Sequence, residues 1–186
     1  NQHVPIDITL TPAKRHKLSF GFGYDTEIDL NASVRWQNRL INSSGHNTDV
    51  LLKVSEKKSQ LRGTYWIPIN DPRTDKIGFI TTFETEETDD TDRETLDLEA
   101  AWLFKWIEGW DTKLFTEYKF ERFESENTPE SISRLISIGG RLEGQFFEKN
   151  IPYRRKGWSA FAELRGAPEL IWSDTDYLRL QLKSRI

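Results

Sequence analysis

The sequence predicts an all-β fold: an antiparallel up-and-down meander of about ten strands, forming an incomplete portion of a transmembrane β-barrel. Three observations predict it. Apolar and polar residues alternate with a period of two along most of the chain, so each strand has one apolar and one polar face. Turn-forming clusters break the alternation at short intervals, so neighbouring strands pair as antiparallel hairpins. Aromatic residues gather at the ends of the alternating runs, at Tyr24, Trp36, Trp66, Trp106, Trp110, Tyr153, Trp158 and Trp172. An amphipathic ring suits the headgroup level of a membrane, where one end is wet.

Taken in order, the first strong run sets Leu18, Phe20, Phe22 and Tyr24 against Lys17, Ser19, Gly21 and Gly23. The second sets Ile28, Leu30, Ala32, Val34 and Trp36 against Glu27, Asp29, Asn31, Ser33 and Arg35. Val50, Leu52 and Val54 form a third, with Leu51 as an exception. Segments 61–67 and 77–83 alternate less cleanly. The longest run carries Leu96, Leu98, Ala100, Trp102, Phe104 and Trp106. It is followed by Leu114–Phe120, Ile136–Phe146 and Trp158–Leu164, and the last apolar set is Leu178, Leu180 and Leu182. Turn signals lie at 25–26, 42–45, 70–72, 89–92, 109, 127–129, 150–152 and 166–168, rich in Asn, Asp, Gly and Pro.

Two environments suit such an apolar face: the inside of a soluble sandwich or lipocalin-like barrel, or lipid around a membrane barrel. The run from Leu96 to Trp106, at about 3.3 Å per residue and a tilt near 40°, covers roughly 25 Å, the height of an outer-membrane apolar band. Leu30, Val34, Trp36, Val50, Leu52, Leu98, Trp102, Phe104, Tyr118, Ile138 and Leu180 are therefore expected to face lipid. Asp29, Arg35, Glu99, Lys105, Arg141, Glu143 and Arg179 are expected to face a wet lumen. On this assignment Leu98→Arg is costly and Glu99→Arg close to neutral.

Composition removes other classes. With 186 residues and no cysteine, disulfides and thiolate metal sites are excluded. A net charge of −4 and a pI near 5.5 argue against a nucleic-acid partner, which needs a basic stripe. No apolar run is long enough for a membrane-spanning helix. The mean hydropathy of −0.67 does not count against a barrel, because lipid-facing and lumen-facing residues cancel in the average. The absence of methionine predicts a mature form or an excised piece.

Residues 1–13 read differently. Ile6, Ile8 and Leu10 alternate with Asp7, Thr9 and Thr11 up to Pro12, as the last strand of a preceding domain with its linker; the barrel portion is expected over 14–186. Here a resemblance becomes specific. The strand "VPIDITLTP", the basic Lys14–Lys17 stretch and "KLSFGFGYDTEIDLNASVRWQNRLINSSGHN" look like the junction between the last POTRA domain and the barrel in TamA-type proteins of the BamA/TamA superfamily. Further on, "TYWIPINDPRTDK" is similar to the turn after that family's fourth barrel strand. The segment "IPYRRKGWSAFAELRGAPELIWSDTDYLRL" resembles its ninth and tenth strands with the turn before them. The resemblance runs the length of the chain in the family's order. It implies a barrel of roughly sixteen strands, with the closing strands and an arginine-bearing loop expected after Ile186.

What the resemblance implies for function is a non-enzymatic assembly factor without a cofactor. Its partners would be outer-membrane lipids, a TamB-like protein anchored in the inner membrane, and unfolded outer-membrane clients such as autotransporters. Leu18, Phe20, Gly21, Phe22, Gly23 and Tyr24 would form the lateral-seam strand. An outer-membrane enzyme and a porin or secretion pore are the rival readings. No motif supports the enzyme: His3, His16 and His46 are scattered, and the Gly-x-Gly at 21–23 sits inside a strand rather than before a helix. The acidic run Glu84–Glu94 lacks the ligand spacing of a calcium loop and reads as a solvated rim loop.

Overall fold

A computed structural model describes residues 14–25, 29–88, 90–125, 128–147, 157–168, 173–174 and 176–185. The postulated domain strand within 1–13 lies outside them, as do Ile28, Tyr153 and Trp172. Ten strands follow one another: β1 His16–Asp25, β2 Asp29–Asn38, β3 Asn47–Ser55, β4 Lys58–Pro68, β5 Lys76–Thr88, β6 Thr91–Ile107, β7 Trp110–Ser125, β8 Thr128–Phe147, β9 Gly157–Ala167 and β10 Tyr177–Arg185. They form one antiparallel sheet in sequential order, and β10 does not pair with β1. The sheet is open.

Register shows why alternation specifies it. One row across the sheet reads Phe20, Val34, Leu52, Leu61, Phe83, Leu96 and Phe120, each directly opposite the next. The adjacent row, on the other face, reads Gly21, Ser33, Lys53, Gln60, Glu84, Thr95 and Glu121. A slip of one residue anywhere would interchange these sets, so the pattern fixes the register. Segments 61–67 and 77–83 alternate less cleanly for a reason. The two-residue turn at Glu56-Lys57 moves the apolar face from even to odd positions in β4 and β5. The turn between Thr88 and Thr91 moves it back. Within these strands Gly63 and Thr81 occupy outward places while Trp66 and Ile80 point inward.

The two faces differ in curvature. Arg62 and Trp66 of β4 line the same cavity of about 430 Å3 as Arg141 of β8 and Arg165 of β9, which only a concave face allows. Most of the buried strand residues, including Phe115 at 4% exposed and Ser137 at 2%, are on that inner side. The outward row is exposed, with Phe20, Leu52, Leu61 and Phe83 among the large apolar residues on the surface.

Three expectations need correction. Glu84–Thr88 and Thr91–Glu94 of the acidic run are not loop: they form the paired ends of β5 and β6, with Glu86 opposite Arg93 and Glu84 opposite Thr95. Thr85, Thr88 and Thr91 favour strand, and Lys58 Nζ neutralises part of the charge, 2.6 Å from Glu84 and 3.9 Å from Glu86. Trp66 is not in an outward girdle. It points into the concavity, its indole lying over Gly78, where an added Cβ would collide with the ring, and Lys76 Nζ sits 4.6 Å from the ring centroid. Finally, Thr128 and Pro129 belong to β8, and Gly166 and Ala167 to β9, because hairpin pairing carries these strands through residues that favour turns.

Candidate functional site: an open edge strand beside a charged concave face

The edge strand β1 pairs with β2 alone among the described residues, leaving one row of its backbone N–H and C=O groups without a strand partner. Its outward side chains are among the most exposed large apolar ones: Phe22 is 85% exposed and Tyr24 73%. Inward it carries Lys17, Ser19, Gly21 and Gly23. A Cβ at Gly21 would lie 2.6 Å from Ser33 Oγ, so glycine lets the β2 side chain lean across β1. At the other edge, β10 exposes Leu178, Leu180 and Leu182.

Behind the edge, the concave face is laced with ion pairs. Lys113 Nζ lies 2.7 Å from Glu99, Arg141 Nη2 2.6 Å from Glu163, and Arg165 Nη1 2.9 Å from Glu117. The last pair spans the whole width of β8. Glu117 lies opposite Ser137 and Arg165 opposite Gly139, and the small side chains of β8 let the two charges meet above it. Arg165 also stacks over Phe115, 4.9 Å from the ring centroid, and Phe115 in turn covers Gly139. Pairs shielded this way add little net stability, but removing one partner strands the other charge. Glu99→Arg is therefore not neutral, since it would set two cations together where Glu99 and Lys113 now pair.

Outward, aromatic residues form a belt at the end where β1 begins. Phe146 stacks on Trp158 at 4.3 Å, with Trp110 edge-on to both. Trp102 packs on Phe104 at 4.4 Å, and His16 stacks on Trp36. Trp106 is bulged out of the β6–β7 ladder between Lys105 and Ile107; beyond it, Gly109 with φ +88° closes the turn. The Trp102 indole N–H donates to Asp75 Oδ1 at 3.0 Å, and Asn70 donates to the other Asp75 oxygen at 2.6 Å. Asp75 belongs to the polar turn after β4. There Asp71 accepts from the Arg73 backbone and guanidinium, and these bonds hold its carboxyl below the usual carboxylate range.

Leu30, Val34, Trp36, Val50, Leu52, Leu98, Trp102, Phe104, Tyr118, Ile138 and Leu180 all share the outward face with Phe20. Arg35, Glu99, Lys105, Arg141, Glu143 and Arg179 all share the inward one. Asp29 takes its register place opposite Asp25, and its side chain lies outside the described residues. Sequence reasoning missed the pairing of Glu117 with Arg165 and of Glu163 with Arg141, and the inward aromatics Trp66, Phe115 and Phe161. Parity marks these residues as inward, but only the register brings them together. Among the described residues, no group of three His, Asp or Glu side chains is placed to hold a metal ion.

No protein-family model and no curated protein sequence matches the chain. Among solved structures it is similar to the crystal structure of BamA from Haemophilus ducreyi lacking POTRA domains 1–3. The TM-score is 0.74 at 12% sequence identity, over 92% of this chain and 37% of that one. The chain thus spans little more than a third of that structure. The likeness shows the fold: ten antiparallel meander strands resembling part of the BamA barrel, with the sheet not closed.

Proposed function

We propose that this chain is the first part of the barrel of a Gram-negative outer-membrane assembly factor of the TamA kind, acting without enzymatic chemistry. On this reading the outward face meets outer-membrane lipid and the concave face a wet lumen. β1 is the lateral-seam strand that takes up a strand of an unfolded client such as an autotransporter. The observation that carries the reading is the BamA-like meander, in which β1 is the first strand and turns exposed Phe20, Phe22 and Tyr24 outward. Bare backbone groups are not tolerated in hydrocarbon, so the edge of β1 must close or find another strand. Strand addition satisfies it with main-chain hydrogen bonds that need little sequence specificity. The BamA-like fold supports the same reading, and the postulated POTRA strand at 1–13 and a TamB-like partner belong with it.

The test is to place a photo-crosslinking amino acid at Phe20 or Phe22 in a Gram-negative host secreting an autotransporter. Adducts between β1 and the arriving client are expected during its biogenesis, with none from an inward control at Glu143. Robust secretion with no adduct at either β1 position would rule the reading out.

A further inference from the structure

Resting on the reading that β1 receives a strand from another chain, we infer that Arg35 selects an arriving strand bearing an inward-facing carboxylate opposite Gly21. Three features of the structure carry this. The backbone edge of β1 calls for an extended strand, whose inward side chains will stand on the same face as Ser19, Gly21 and Gly23. Beyond Lys17 these residues carry little or no side chain, so what stands on β2 can reach across β1, as Ser33 and Asn31 do over Gly21 and Gly23. On β2, opposite Ser19, stands Arg35, half-exposed and bonded through Nε to Asp49 at 2.7 Å. Lys53 follows on β3, opposite Ser33 and exposed. The approach to the edge is therefore cationic.

The same molecule already holds a contact of this shape. Glu117 and Arg165 meet at 2.9 Å across β8, over Ser137 and Gly139, although their strands stand about 10 Å apart. The acid is opposite the serine and the base opposite the glycine, displaced by two residues along the strand. Twist has one hand throughout a sheet, so the same diagonal applies at the edge. With Arg35 opposite Ser19, it places the arriving acid opposite Gly21, where the Ser33 hydroxyl leans over the glycine and is in place to donate to the carboxylate.

The experiment uses the chain in detergent micelles and synthetic ten-residue strands that alternate apolar and polar residues. The strands differ only in whether Glu, Gln or Lys stands at the inward place opposite Gly21. A cysteine opposite Phe20→Cys locks and reports the register. The Glu strand is expected to bind roughly three- to tenfold tighter than the Lys strand at low salt, with the difference shrinking as salt rises. Arg35→Lys should keep the preference and Arg35→Glu should reverse it. Because Arg35→Glu also faces Asp49 and can perturb β2, Arg35→Gln serves as the second variant and should abolish the preference. Equal binding of the Glu and Lys strands, or a preference surviving Arg35→Gln, overturns the inference while leaving β1 as a receiving edge. Binding of none of the strands overturns the receiving-edge reading itself.

Discussion

Arginine placed along the outward face of β6 should reveal a depth profile. Along this strand Trp106 stands in the aromatic belt, Leu98 eight positions before it and Ala100 six. At about 3.3 Å per residue and a tilt near 45°, these lie roughly 19 Å and 14 Å above the belt. In an apolar band about 25 Å tall, Ala100 is close to mid-depth and Leu98 is nearer the far boundary. A cationic side chain costs about 2–4 kcal/mol at mid-depth and falls toward zero at the interfaces. Ala100→Arg should therefore cost about 2–4 kcal/mol and Leu98→Arg about 1–2 kcal/mol. Inward Glu143→Arg, an exposed position, should stay within about 0.5 kcal/mol. The measurement is reversible denaturant unfolding of the chain folded into phospholipid vesicles, followed by tryptophan fluorescence. Equal penalties on the two faces, or a Leu98→Arg penalty exceeding that of Ala100→Arg, would refute the face assignment or the depth scale.

Other outcomes test the concave face and the turn. Gly139→Ala should destabilise by about 1–3 kcal/mol, because its Cβ would lie 2.5 Å from Phe115 Cζ and 2.8 Å from the Leu164 carbonyl. Adding Phe115→Leu should recover part of that loss in the same unfolding assay, and no recovery would show that the ring is not the obstacle. Arg165→Gln should cost about 2–3 kcal/mol by stranding Glu117, whereas pairing it with Glu117→Gln should cost less than the single change. In the β4–β5 turn, carbon-detected NMR should find the Asp71 carboxyl titrating below its ordinary value, and Arg73→Ala should bring it back up. Since folding lowers this carboxyl, its contribution to the turn is present above the ordinary carboxylate range and is lost as pH falls through the lowered value. Without detergent the chain should self-associate in sedimentation experiments, driven by exposed Phe22, Leu178 and two open edges.

Period-two alternation was sufficient to read strand identity, approximate strand number and the two faces directly from the residues. Leu18 to Trp36 and Leu96 to Trp106 show why: side-chain direction in a strand depends on parity alone, a purely local property. Hairpin order was equally legible, because short turns leave little choice of neighbour. Strand ends were less so, as at Thr128-Pro129 and along Glu84–Glu94, where pairing with an existing neighbour overrode local turn and charge signals. What only the tertiary structure decided depends on register and curvature: the parity switch at Glu56-Lys57 that turns Trp66 inward, the meeting of Glu117 with Arg165 across β8, and the leaning of Ser33 over Gly21. Each joins residues from different strands, and their separation is set by turn length, stagger and bend summed over the sheet. No single strand carries that information, and so the charged face took shape only once the strands were laid side by side.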